Sequence, residues 1–92
     1  MSSYGWQAIF NAMKYVYLLK SISSPQRRYI GSTTDLQARL QQHNEGRVFH
    51  TAKYRPWEIH VPIRFTDNHR AKQFERYLKS GSGHAFAKRH LW

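Results

Sequence analysis

The chain contains no cysteine, and only five of its 92 residues are acidic. Without thiols there is no disulfide framework and no thiolate zinc site. The histidines at 50, 60, 69, 84 and 90 show neither HxH nor i,i+4 spacing, so a zinc centre is not expected. No apolar run approaches the roughly 20 residues of a membrane-spanning helix, and no membrane partner is expected. The opening MSSYGWQAIFNA has neither a basic first segment nor a long apolar second one. It does not look like a secretion signal, and the expected location is the cytoplasm. Internal repeats and low-complexity tracts are also lacking.

What is abundant is positive charge. Fifteen Lys and Arg oppose the five acids, for a formal net charge of +10. A field of that sign attracts polyanions, and nucleic acid is its simplest explanation: DNA first, RNA second. The bland alternatives are an inert basic surface or a structural protein of an RNA–protein particle. With 40% hydrophobic and 15% aromatic residues, the chain is too apolar to be disordered. Its length suits one domain whose core leans on Tyr, Trp and Phe.

Residues 1–12 have no clear period and are read as an N-terminal extension, flexible in expectation; one domain occupies 13–92. Tyr15 to Leu19 form a continuous apolar run, suiting a strand covered on both faces. SISSPQR supplies turn residues, and RYIG is a second strand closing a hairpin. Thr33 or Thr34 can cap the following helix, with Asp35 favourably placed against its dipole, and Gly46 ends it. After the basic, aromatic loop RVFHTAKYRP, the stretch Trp57, Ile59, Val61, Ile63, Phe65 alternates with Glu58, His60, Pro62, Arg64. That period of two predicts a strand with one wet face, and Pro62, lacking an amide donor, places it at a sheet edge. Thr66 or Asp67 caps a second helix running to about Ser80, with Ala71, Phe74, Tyr77 and Leu78 inward. GHAFAKRHLW reads as a short basic third helix with Phe86 and Leu91 turned in. The order β-β-α-β-α-α implies an α+β fold, a small antiparallel sheet with helices packed on it.

The polar residues on this scaffold are oddly placed for solubility alone. At 100° per residue, Arg39 and His43 fall in the same arc as Leu36 and Leu40. Glu75 lies at the border of the second helix's apolar arc and is the lone acid of RAKQFERYLKSGSG. Each residue has an ordinary reading: sheet aromatics for Tyr17 and Tyr29, a snorkelling Arg39, a boundary His43, a surface-paired Glu75. Their joint arrangement favours a site.

That arrangement resembles the GIY-YIG endonuclease superfamily, in particular its small stand-alone members. YVY at 15–17 stands where the family has GIY, and YIG at 29–31 matches its second half. STTDLQARLQQHN, HTAKYRPWE and FERYLKSGSG are similar to the later blocks, in order, and the likeness covers residue 13 to about 91. The resemblance implies a three-stranded antiparallel sheet flanked by helices. It implies a catalytic set of Tyr17, Tyr29, Arg39, His43 and Glu75, in which Arg39 holds the scissile phosphate and Glu75 ligates a single divalent ion, Mg²⁺ or Mn²⁺. Tyr15 and Val16 depart from the glycine and isoleucine of GIY, and Ser32 stands where some members carry a lysine. Whether Tyr17 or Tyr29 is the general base is left open; a relay from Tyr17 to His43 is favoured because Ser32 cannot act as a lysine would.

The expected activity is metal-dependent hydrolysis of phosphodiester bonds in DNA, structure-selective or weakly specific, serving repair, recombination or turnover. The alternative is a nucleic-acid-binding module that keeps the fold without cutting. His50 and Thr51, in the HT block, are expected to face substrate. Arg47, Lys53, Arg55, Lys79, Lys88 and Arg89 are candidates for backbone phosphate contacts, which position a strand without reading its sequence. A domain this small has little surface for readout, so a protein partner that supplies specificity is compatible with the sequence.

Overall fold

The apolar run KYVYLLKS forms strand β1 (Lys14–Ser21), the middle of a three-stranded antiparallel sheet of order β2-β1-β3. Strand β2 spans Arg28–Thr33 and β3 spans Trp57–Phe65. The helices are α1 (Leu36–Asn44), α2 (Asn68–Leu78) and α3 (Gly81–His90), with a short 3-10 turn at Ala52–Tyr54 that sequence pattern does not announce. The computed structural model describes residues 14–92; the proposed extension at 1–12 lies outside the described residues.

Central position explains the composition of β1. Val16, Tyr17, Leu18 and Leu19 are all buried, because both faces of the strand are covered. Val16 and Leu18 pack with Ala71 and Leu78 of α2 and Ala87 of α3. Tyr17 and Leu19 pack with Trp57, and Leu36 and Leu40 of α1 close over them. The leucine pair of α1 is thus the inward pair that helical periodicity predicts.

Strand β3 takes the expected edge position, yet it does not have one wet face. Leu18 pairs with Val61 and Leu19 with Ile59, so His60 is an extra residue in the ladder. Such a bulge rotates the strand by half a period. Trp57 and Ile59 therefore face α1, whereas Val61 and Phe65 belong to the cluster under α2 and α3. One unbroken alternation serves two cores.

The helix ends differ from expectation in small ways. Asp35, rather than Thr33 or Thr34, is the N-cap of α1, its carboxylate accepting from the Ala38 amide; Thr33 instead bonds Asp35 through its backbone. Asp67 caps α2 by accepting from the amides of His69 and Arg70. The third helix begins two residues earlier than the sequence pattern suggests, because the Ser80 hydroxyl caps it at Gly83. Tyr77 and Phe86 are not core residues; they are 40% and 37% exposed and extend outward, ring to ring, from Phe65 and Phe74, which pack on the core. The inward face of α3 is Gly83, Ala87 and, just beyond the helix, the half-buried Leu91. Small residues let α3 lie directly on the end of α2, since a Cβ at Gly83 would overlap the Tyr77 carbonyl.

Candidate active site

Register brings the two strand phenols together. Tyr17 pairs with Gly31, and Tyr29 lies two pairs along beside Leu19, so both tyrosines share the α1 face. A Cβ at Gly31 would sit 2.6 Å from the Tyr17 hydroxyl oxygen and 3.0 Å from the Tyr29 ring. Glycine is needed here to make room for the Tyr17 phenol. The rings of Tyr17 and Tyr29 lie 6.3 Å apart, and the His43 imidazole meets both edge-on, at 5.7 and 5.0 Å.

The hydrogen bonds around His43 fix their own direction. Tyr17 Oη is 2.9 Å from His43 Nε2, and Arg39 Nε donates to the same Oη at 3.4 Å. Guanidinium only donates, so the phenol oxygen accepts from Arg39; Thr51 Oγ1 gives its own hydrogen to the Val48 carbonyl and so accepts from His43 Nδ1, which directs the phenol proton to Nε2. Nε2 is then the bare nitrogen and Nδ1 carries the hydrogen, which Thr51 Oγ1 accepts at 2.6 Å. The Thr51 hydroxyl passes its own hydrogen to the Val48 carbonyl at 3.3 Å. Every group in the chain Tyr17–His43–Thr51–Val48 is satisfied in one sense.

Burial sets the protonation states. His43 is 0% exposed, and that burial, aided by the Arg39 charge, lowers its pKa to about 4. The imidazole is neutral at physiological pH and keeps its acceptor lone pair. Burial likewise raises the Tyr17 pKa, against the lowering effect of the Arg39 hydrogen bond. Tyr17 is thus a phenol at rest. Arg39, half-buried beside the leucines of α1, is also held through a 2.9 Å bond from Nη1 to Gln42 Oε1.

Glu75 approaches from the other side of the sheet. Ser32, which pairs with Val16 on the α2 face, donates to Glu75 Oε1 at 2.7 Å. Lys79 Nζ is 3.0 Å from Oε2, and Lys72 Nζ is 3.8 Å from Oε1. Burial pushes the carboxyl pKa up, but the Ser32 hydroxyl and the two lysines outweigh it, and the net shift is downward. Its charge in turn helps to raise the Tyr17 pKa, so the acid and the phenol share one electrostatic neighbourhood. With Lys72, Arg76 and Lys79, Glu75 lines a depression of about 240 Å³. Of the other four acids, Asp35 and Asp67 cap helices.

Four of the five residues singled out from sequence, Tyr17, Tyr29, Arg39 and His43, therefore meet on the α1 face of the sheet, while Glu75 stands on the other face, bonded to Ser32 of the edge strand β2. The outer candidates divide. Arg47, His50, Lys53, Arg55, Lys79, Lys88 and Arg89 are exposed, with Lys88 and Arg89 in the last turn of α3. Arg47 pairs with Glu45 at 3.6 Å, and Lys53 lies 5.6 Å over the Tyr54 ring. Thr51 does not face substrate: it is 0% exposed and bonded to His43, so the expected contact is corrected to a role in holding the imidazole. Ser32 and Gln42 are partners of the site that sequence pattern does not assign. Both stand close to candidate residues in the chain, which is the available signal.

Fold and site together define the GIY-YIG catalytic domain, and the chain belongs to that family, whose sequence model matches residues 13–88. Within the family, it is similar to the Candida dubliniensis protein named structure-specific endonuclease subunit SLX1, with 43% identity over 83 residues. That match covers 83% of this chain and 28% of the relative. The Debaryomyces hansenii protein of the same name is 41% identical, with 83% and 23% covered. The Talaromyces marneffei one is 45% identical over 65 residues, with 64% and 17% covered. The chain thus spans about a quarter of the length of the first two relatives.

Proposed function

We propose that this chain is the catalytic domain of a divalent-metal-dependent endonuclease that hydrolyses phosphodiester bonds in DNA and prefers branched or otherwise irregular structures, in repair or recombination. The observation that carries the reading is the hydrogen-bonded group of Tyr17, His43 and Arg39, with the Glu75 carboxylate held by Ser32 across the sheet and in electrostatic reach of Tyr17. The name structure-specific endonuclease subunit, borne by relatives, supports the substrate class and a protein partner.

The donor set fits a hard cation. Glu75 is ionised, presents oxygen only, and among the described residues no cluster of three His, Cys, Asp or Glu competes for a softer metal. Mg²⁺ characteristically takes one or two carboxylates and completes its shell with water and substrate phosphate. Bound at Glu75, such an ion, Mg²⁺ or Mn²⁺, would supply Lewis acidity toward the leaving oxygen.

The chain's own residues do the rest. Arg39 offers forked donors to the phosphate and stabilises the charge that grows in the transition state. Tyr17 Oη removes a proton from the attacking water while its own proton passes to His43 Nε2. The water oxygen bonds to phosphorus and the P–O bond opposite breaks. A pKa of about 4 makes His43 a reluctant acceptor in the free domain. A phosphate anion paired with Arg39 offsets the cationic repulsion that helps depress it, so substrate itself raises the basicity of the relay. Tyr29, half-buried beside both rings, positions the water or the phosphate.

The test is a cleavage panel of supercoiled, branched and single-stranded DNA, with Mg²⁺ or Mn²⁺, at several salt concentrations. Cutting that disappears in Glu75→Ala while binding persists supports the reading. Binding without cleavage on every substrate would leave a nucleic-acid-binding module instead.

A further inference from the structure

The loop between α1 and β3 carries a residue the catalytic reading leaves without a task. Phe49 is 89% exposed, far more than any other large apolar side chain among the described residues. A scattered surface leucine needs no explanation, but this ring stands on a segment that is otherwise fastened down. Thr51, two residues on, bonds the His43 imidazole, and its carbonyl accepts from Trp57 Nε1 at 2.7 Å. The Asn44 side chain bonds both the amide and the carbonyl of Trp57. Ser21 donates to the Tyr54 carbonyl at 2.6 Å, tying the far end of the loop to β1. The ring meets the neighbouring His50 edge-on at 5.5 Å.

Position and company identify what it meets. Two residues of chain reach at most about 7 Å, so the Phe49 backbone lies within that distance of the residue that holds His43. Exposed Arg47, His50, Lys53 and Arg55 surround it in sequence, a setting for a phosphate backbone rather than an apolar protein surface. In continuous duplex both faces of each base are stacked on neighbours. A base at a branch or flap has an open face, which an aromatic ring on a cationic surface can cover.

We infer that Phe49 is a stacking platform for an unpaired DNA base beside the scissile phosphate and is a specificity-determining residue for irregular substrates. This rests on the nuclease reading above. Because the loop is anchored to His43 through Thr51, a base seated on Phe49 fixes the distance from the branch to the cut.

The experiment compares wild type, Phe49→Ala, Phe49→Leu and Phe49→Trp with Glu75→Ala, on a flapped duplex and on supercoiled plasmid. Melting temperature is followed to show that the variants fold. A 2-aminopurine at the branch point reports stacking without cleavage, measured with Ca²⁺ in place of the active ion. Stacking on one base predicts a loss of about tenfold or more in kcat/KM on the flap for Ala and Leu, little change on plasmid, and recovery in Trp. The 2-aminopurine signal should change on binding wild type and Trp, and stay flat with Ala. Equal cleavage by all four, a uniform loss on both substrates, or Leu performing as well as Trp overturns the inference. Binding by wild type with no cleavage of either DNA would instead overturn the nuclease reading on which it stands, and retained cutting by Glu75→Ala would overturn the metal-holding role given to Glu75.

Discussion

At the scale of single residues, the site is built from groups that hold other groups. Ser32 fixes one oxygen of Glu75 across 43 residues of sequence, and hydrogen bonds to a charged group are worth about 1.5–3 kcal/mol. Ser32→Ala should raise the concentration of Mn²⁺ needed for half-maximal cleavage by about tenfold, with Ser32→Thr restoring it; titration of Mn²⁺ binding by paramagnetic resonance gives the same order without turnover. Thr51 is the corresponding partner of His43. Thr51→Val leaves the Nδ1 hydrogen buried without an acceptor, at a cost of about 1–3 kcal/mol. The expected result is a lower melting temperature together with a fall in kcat, and Thr51→Ser should recover both. Arg39 and His43 are legible in the sequence because helical geometry puts them on the arc of Leu36 and Leu40. The place of Thr51 is not legible, because only tertiary packing tells a threonine that touches substrate from one that touches the imidazole behind it.

At the scale of elements, two glycines separate turnover from stability. Gly31 on β2 clears space for the Tyr17 phenol, so Gly31→Ala should abolish cleavage by displacing that ring, with a modest loss of stability. Gly83 on α3 abuts the backbone of Tyr77 and Leu78. Overpacking of that kind costs about 1–3 kcal/mol, so Gly83→Ala should lower the melting temperature while the cleavage rate of the folded fraction persists. Gly81, where an added methyl would meet nothing within 4 Å, is the tolerant control. Element order and the edge place of β3 follow from hydropathy and from Pro62. The bulge does not, because the extra residue His60 preserves the alternation of letters while exchanging the faces they serve. Tyr77 and Phe86 pass for core in the sequence because aromatic rings on a helical arc look alike whether they line the interior or pack on one another outside it.

At the scale of the whole molecule, pH and salt act through different groups. Between about pH 4 and 6.5 the unfolded chain protonates His43 while the folded one does not, so stability rises with pH across that window and levels off above it. The contribution is on the order of 3 kcal/mol, and thermal melts of His43→Gln should show a flatter profile there. Glu75, held below its ordinary range, adds a loss of stability only under about pH 4.3, on the acid side of that window. With a charge of +10, DNA affinity should fall steeply with salt, and replacing a cation proposed to contact phosphate, such as Arg55 or Lys53, by alanine should shrink the log–log slope by about 0.9. Equilibrium titrations at several ionic strengths measure it. The reacting groups hang from two separate hydrophobic clusters, Tyr17 with α1 in one and Glu75 on α2 over the other. On the proposed site, no fragment of the domain should retain half of the reaction, and a heat-stressed molecule that sheds either cluster should fall silent before it comes apart.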